Sequence, residues 1–316
     1  MSRRPTGLPA SGAAGAPAGG AAGAAVSAPI AGWYTHNGRH DLPWRPTRDR
    51  WAVLVSEVML QQTQVGRVAG VWPGFMARFP TPEAMAAAGP GDVIAAWGTL
   101  GYPRRARRLW EAAERIAAHG WPEALTDLPG VGRYTADAVS AQVDGRDAPA
   151  IETNIRRVVE RRAGRTLSPS EAAAASREAG WPLNGRDRLL ALMDIGALLC
   201  RPRAPRCPEC PLEPGCATAR SIASETTRPA TPPRVAGDPS ARPRDTGDPP
   251  AGVPWRTLGR RARQPAYEGS FRQRRGRVLA ELRAGPRPSA DLDPAALATL
   301  VEDGLAALDG PIARLP

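Results

Sequence analysis

The chain has 316 residues and carries 42 basic against 31 acidic side chains, giving a formal charge of +11 and a pI near 10.8. That length allows a sizeable core and about two domains, and the positive excess points to a polyanionic partner, most simply nucleic acid. No apolar run is long enough to span a bilayer, and all the basic side chains are arginine, so no side-chain amine exists to form a Schiff base.

Residues 1–28 are rich in Ala, Gly and Pro with two early arginines, and they lack the Leu-rich stretch of a secretory signal. They read as a disordered extension, and the expected location is the cytoplasm. Residues 29–220 show apolar positions at three- and four-residue spacing in 51–65, 83–97, 104–118, 133–143, 154–162 and 187–199. Pro and Gly punctuate them, as in Phe79-Pro80-Thr81-Pro82 and Gly89-Pro90-Gly91. Strand-like alternation is scarce, so the expected fold class is all-α.

Within the first of these helices Glu57 is a carboxylate among hydrocarbon. Its neighbours three and four positions away are Val53, Leu54, Leu60 and Gln61. Desolvation there raises a carboxyl pKa and suits a general acid, whereas a place at the helix edge would leave it in water. Further on, Leu128-Pro129-Gly130-Val131-Gly132-Arg133-Tyr134 predicts a tight turn into a new helix. Gly130 and Gly132 leave backbone amides uncovered at a helix start, a seat for a phosphate. The plainer reading is an ordinary helix–helix turn.

All four cysteines fall in one run, Cys200, Cys207, Cys210 and Cys216. Thiolates this close can converge on a 4Fe–4S cluster or a tetrahedral zinc. Zinc sites usually pair two short Cys-x2-4-Cys knuckles, and here only one is short. Disulfides are disfavoured, because Cys207 and Cys210 are too close for independent bridges. Between Cys200 and Cys207 stand Arg201, Arg203 and Arg206, which on a loop held at both ends would form a phosphate clamp.

Residues 221–256 contain eight prolines and read as a linker. The segment 257–316 follows as a small module. Phe271 to Arg283 fits a basic helix with Val278, Leu279 and Leu282 on one face, Pro294 to Leu305 fits a second helix, and residues 307–315 fit a hairpin. That order is winged-helix-like; the alternative is a helical cap with no DNA role. Removing 257–316 is expected to weaken DNA affinity more than it slows the chemistry.

These features together resemble the helix-hairpin-helix superfamily of DNA glycosylases, and within it the MutY-type adenine glycosylases. The resemblance covers residues 33–216. It rests on Leu42-Pro43-Trp44-Arg45, Glu57-Val58-Met59-Leu60-Gln61-Gln62-Thr63, Leu100-Gly101-Tyr102, the glycine hairpin, Ile151-Glu152-Thr153-Asn154, Ala191-Leu192-Met193-Asp194 and the cysteine run. It implies a helix-hairpin-helix fold with a 4Fe–4S loop. It also implies excision of adenine mispaired with 8-oxoguanine or guanine in double-stranded DNA, by a monomer that hydrolyses the N-glycosidic bond after flipping the base.

By the same resemblance Glu57 protonates the adenine, Glu152 and Asn154 attend the cationic sugar, and Tyr134 stands where lyase-competent relatives carry lysine. Glu152 replaces the family's Asp, one methylene shorter. Trp44, Arg45 and Leu60 would line the adenine pocket, with Leu189 and Leu190 where many members are polar. Gln62 and Thr63 would touch the opposite base, and Leu100 and Tyr102 would wedge into the stack. A thymine–guanine mismatch glycosylase and a catalytically weak iron–sulfur DNA-binding protein are the rival readings.

Overall fold

The protein is described by a computed structural model over residues 21–227 and 267–316, with side chains of the first segment from residue 29 to 224. The described residues form thirteen helices and one small sheet. The sheet is the departure from an all-α fold; the rest is mostly helical as expected. Residues 1–20 and the greater part of the expected linker lie outside the described residues.

The first segment runs α1 Ala21–Asn37, α2 Arg50–Leu60, α3 Val65–Arg78, α4 Pro82–Ala88, α5 Pro90–Trp97, α6 Arg104–His119, α7 Arg133–Val143, α8 Thr153–Ala163, α9 Pro169–Gly180, α10 Gly185–Leu198 and α11 Ala217–Thr227. The first turns of α1 fall in the Ala/Gly/Pro-rich extension, and α11 reaches into the linker. Local chemistry sets several ends. Asp49 caps α2 by accepting from the Ala52 amide at 2.7 Å. The periodic window 51–65 is interrupted after Leu60, because Gln62 turns left-handed with φ +57°. The window 83–97 splits at Gly89, φ +81°, and Pro90 then opens α5, a position where its missing N–H costs nothing. Helix α9 lies outside the regular windows and is announced instead by the capping box of Ser168 and Glu171.

Two apolar cores result. One gathers α2 to α6 around Trp97, Leu54, Met59 and Phe75; the other gathers α1 and α7 to α10 around Ile30, Ile155, Leu192 and Ile195. Helices α2 and α7 pack together, as do α7 and α10, so the line between the cores passes beside Glu57.

The second segment holds β1 Arg287–Pro288, β2 Ala307–Asp309 and β3 Ile312–Arg314, with helices α12 Phe271–Ala284 and α13 Pro294–Glu302. Strand β3 lies between β1 and β2, antiparallel to both, pairing Ala313 with Arg287 and with Leu308. Helix α12 buries Val278, Leu279 and Leu282, and these join Leu297, Leu300 and Leu305 in the core that holds α2 to α6. Polar contacts fix the dock. Arg283 Nε donates to the Ile94 carbonyl at 3.3 Å, Arg107 donates to the Asp303 carbonyl at 3.1 Å, and the Asp303 carboxylate pairs with Arg104 and Arg275.

This alters the expectation for the tail: cutting it away uncovers the core itself, not only a DNA contact. Leu300 is 1% exposed, so Leu300→Ala is expected to cost about 2–5 kcal/mol. The checking measurement is thermal unfolding, and the effect should reach the whole protein as one transition. A separate, early-melting tail would contradict the shared core.

Candidate active site

A cavity of about 1010 Å³ opens along the line between the cores. Glu57 enters it from α2, Tyr134 from α7, Asn154 from α8, and Glu152 from the residue before α8. Trp44, Arg45, Leu60, Gln62, Thr63, Gly130 and Gly132 line it as well. Eleven of the residues expected from sequence therefore share one space, although they span more than a hundred positions of chain.

Glu57 is 4% exposed. Gln142 Nε2 donates to its Oε1 at 2.7 Å, and the Tyr134 hydroxyl is a second hydrogen-bond partner. Burial raises its pKa despite these donors and despite Arg45 nearby, and Glu152 pushes in the same direction. A neutral, desolvated carboxyl is a proton donor in waiting. Tyr134 is itself pushed up by burial and by both carboxyls, so it stays a phenol and remains a donor.

Glu152 has a second job. As the residue before α8 it caps the helix, Oε1 accepting from the Ile155 amide at 2.9 Å, while Oε2 accepts from Asn154 Nδ2 at 3.1 Å. Burial raises its pKa and these donors act against that. Asn154 in turn accepts from Arg157 Nη2 at 2.7 Å, and Arg157 also donates to the carbonyls of Gly196 and Cys200, both at 2.6 Å. The carboxyl and the cysteine loop are thus joined by one chain of hydrogen bonds.

The wall that would face a base contains Trp44, set edge-on to Trp72, and Arg45. Arg45 Nη2 donates to Asp194 Oδ1 at 2.9 Å, but its Nη1 is buried without a partner. Such a donor calls for an acceptor from a bound molecule. Asp194 is fully buried and is held also by Arg39, whose Nε lies 2.6 Å from Oδ1. Leu190 lines the cavity as hydrocarbon, whereas Leu189 packs into the second core.

Gln62 is exposed where it lines the cavity, and Tyr102, on the neighbouring loop, is 38% exposed. Leu100 is 2% exposed and belongs to the first core, so unlike Tyr102 it is not itself at the surface. The hairpin turns at Gly130, φ +79°, where a Cβ would press on Arg108 at 3.0 Å; Gly132 then precedes α7 with no side-chain cap, leaving its first amides open. Three contributors had no signal in the sequence: Gln142, Arg39 and Arg105, the last described below.

The four cysteines carry no disulfide and line a second cavity walled by Val158, Ile195, Leu199 and Leu212. Burial and the neighbouring thiols raise Cys207 and Cys216 and push Cys210 up to about 12, a cost that a cationic centre would offset. Among the described residues no group of three or more His, Cys, Asp or Glu side chains is arranged to hold a metal ion. Arg201 and Arg203 are exposed on the loop, while Arg206 is engaged by Glu209 at 2.6 Å and is the weakest member of the expected clamp.

Helical layers with a glycine hairpin at the mouth of a two-carboxyl cavity define a helix-hairpin-helix base excision repair protein. Residues 55–182 match that superfamily, HhH-GPD base excision DNA repair proteins. Over 289 residues the chain is 39% identical to the adenine DNA glycosylase of Mycobacterium tuberculosis, covering 84% of this chain and 81% of that one. It is 34% identical over 201 residues to the thymine-DNA glycosylase of Aeropyrum pernix, covering 58% of this chain and 89% of that one. The solved structure of a thermostable thymine-DNA glycosylase aligns with TM-score 0.54 at 28% identity, over 62% of this chain and 95% of that one. The chain belongs to the adenine DNA glycosylase family.

Proposed function

We propose that the protein hydrolyses the N-glycosidic bond of adenine mispaired with 8-oxoguanine or guanine in double-stranded DNA, without cutting the strand. The observation that carries this reading is Glu57, its pKa raised by burial in a cavity that also contains a second carboxyl. Glu57 delivers its proton to N7 of the flipped adenine. The C1′–N9 bond then breaks, its electron pair leaves with the base, and positive charge develops on the sugar. Glu152 stabilises that charge and water adds at C1′, the division of labour that two carboxyls perform on glycosides. Tyr134 occupies the position from which a lysine would attack, and no lysine exists in the chain, so the product is an abasic site.

The rest of the surface supports duplex binding. The open amides after Gly132 and the exposed Arg201 and Arg203 take phosphates, Tyr102 enters the stack, and Gln62 and Thr63 face the opposite base. Cys200, Cys207, Cys210 and Cys216, which share one cavity, would hold a 4Fe–4S cluster, and such a cluster would staple the arginine loop without supplying electrons to the reaction. The helix–strand–helix–hairpin order of the tail supports a winged-helix-like module.

One experiment separates the readings. The purified protein, with iron and sulfide measured on the same sample, is incubated with duplexes holding adenine opposite 8-oxoguanine, adenine opposite guanine, or thymine opposite guanine. Alkali-dependent cleavage at the adenine, with four irons per chain, is the expected result. Cleavage at the thymine would favour the activity for which two relatives are named, and binding without cleavage would leave a DNA-binding protein only.

A further inference from the structure

Among the described residues only two that are not glycine have positive φ, Gln62 at +57° and Tyr102 at +50°. Gln62 lines the cavity and Tyr102 sits on the neighbouring loop, which Thr63 meets through the Leu100 carbonyl at 3.3 Å, and a left-handed backbone is disfavoured for a residue with a side chain. Something must hold them there. The peptide plane that precedes each one ends in a carbonyl, that of Gln61 and that of Gly101. Both carbonyls accept hydrogen bonds from one guanidinium, Arg105, at 2.5 and 3.0 Å.

The two terminal nitrogens of Arg105 serve different segments. Nη1 reaches the carbonyls of Val58, Met59 and Gln61, the C-terminal end of α2, at 2.8, 3.0 and 2.5 Å. A cation at that end is also favoured by the helix dipole. Nη2 reaches Thr63 Oγ1 at 2.9 Å and the carbonyls of Gly101 and Leu100 at 3.0 and 3.5 Å. The guanidinium lies 5.2 Å from the Trp97 ring and 5.4 Å from the Tyr102 ring, so it also supports the wedge face to face. Burial lowers its pKa to about 10, which leaves it charged at neutral pH.

Pinning the peptide plane before a residue fixes one side of that residue's φ rotation. We propose that Arg105 is a positioning residue that fixes Gln62 and Tyr102 together, so that reading the opposite base and wedging the stack form one coupled event. This rests on the roles given above to Gln62 and Tyr102. A lysine keeps the charge but places it at one point, and it cannot address both segments as a planar fork does.

The test compares wild type, Arg105→Lys, Arg105→Gln, Tyr102→Ala and the Arg105→Lys/Tyr102→Ala double variant as full chains. Three readouts are taken: the melting temperature; the ratio of single-turnover rates for adenine opposite 8-oxoguanine and opposite guanine; and fluorescence of 2-aminopurine placed beside the mispair, which reports unstacking. With the melting temperature nearly unchanged, Arg105→Lys is expected to lower the ratio about tenfold and to reduce the fluorescence gain, and the double variant should add little to Tyr102→Ala alone. A ratio and fluorescence like wild type, or fully additive effects, would overturn the proposal, as would failure of both Arg105 variants to fold, which would assign the residue to stability alone. If wild type excises no adenine from either duplex, the functional reading itself fails, a distinct result.

Discussion

Glu57→Gln is expected to lower the rate of adenine excision by about 10²–10⁴-fold, the usual contribution of a positioned proton donor. Affinity for the same duplex should change little. The substitution keeps the side chain's size and an oxygen to accept from Gln142, which donates to it now at 2.7 Å. What disappears is the proton. On the proposed mechanism the active form is the neutral carboxyl, and burial raises its pKa. Activity should therefore hold at low pH and fall as pH rises through that raised value.

Stability follows the same sign. A group with a raised folded pKa contributes stability that is complete below its unfolded pKa and is lost as pH rises through the folded one. Above that raised folded value Glu57→Gln should be more stable than wild type while excising adenine far more slowly. A rate and pH profile unchanged by the substitution would remove Glu57 from the chemistry.

Glu152 gives the second large effect. Its oxygens are occupied by the amide of Ile155 and by Asn154, so the longer arm folds back onto the helix that it caps. Asp is an equally good cap with a shorter reach. Glu152→Asp is expected to preserve the cap, change the carboxyl's place by about an ångström, and raise the excision rate, since such displacements alter rates strongly. Glu152→Gln keeps the shape but removes the charge that faces the cationic sugar, and should lower the rate by about 10²–10³-fold. Single-turnover assays of the three proteins decide it. Equal rates throughout would mean that the carboxyl serves only as a helix cap.

Much of the site was legible because local sequence creates it. Three hydrocarbon neighbours around Glu57 predict its burial, and Pro129 with two glycines predicts a turn before α7. The apolar face of Val278, Leu279 and Leu282 predicts the inner side of α12. The partners that tune the site were not legible. Gln142 meets Glu57 across 85 positions and Asp194 meets Arg45 across 149, and no periodicity encodes such pairings. Leu100 illustrates the converse: read as part of the wedge, it is core, because Trp97 and Arg105 hold the loop so that Tyr102 emerges and Leu100 does not. The docking of the tail could have been inferred from size. Fifty residues rarely bury a sufficient core alone, and a helix with one strongly apolar face needs a surface to cover.

That dock links residues made far apart in time. Arg283 meets Ile94 across 189 positions and Arg104 meets Asp303 across 199. The residues that line the cavity, up to Ala197, precede α12 by more than seventy positions and so emerge first during synthesis, whereas the apolar surface of α5 and α6 waits for α12 and α13. Domains tend to form from the N-terminal end as they are made, so the first segment is expected to assemble before the helices that cover it exist. A variant ended before residue 267 leaves that apolar surface open, and limited proteolysis is expected to cut it faster than the full chain.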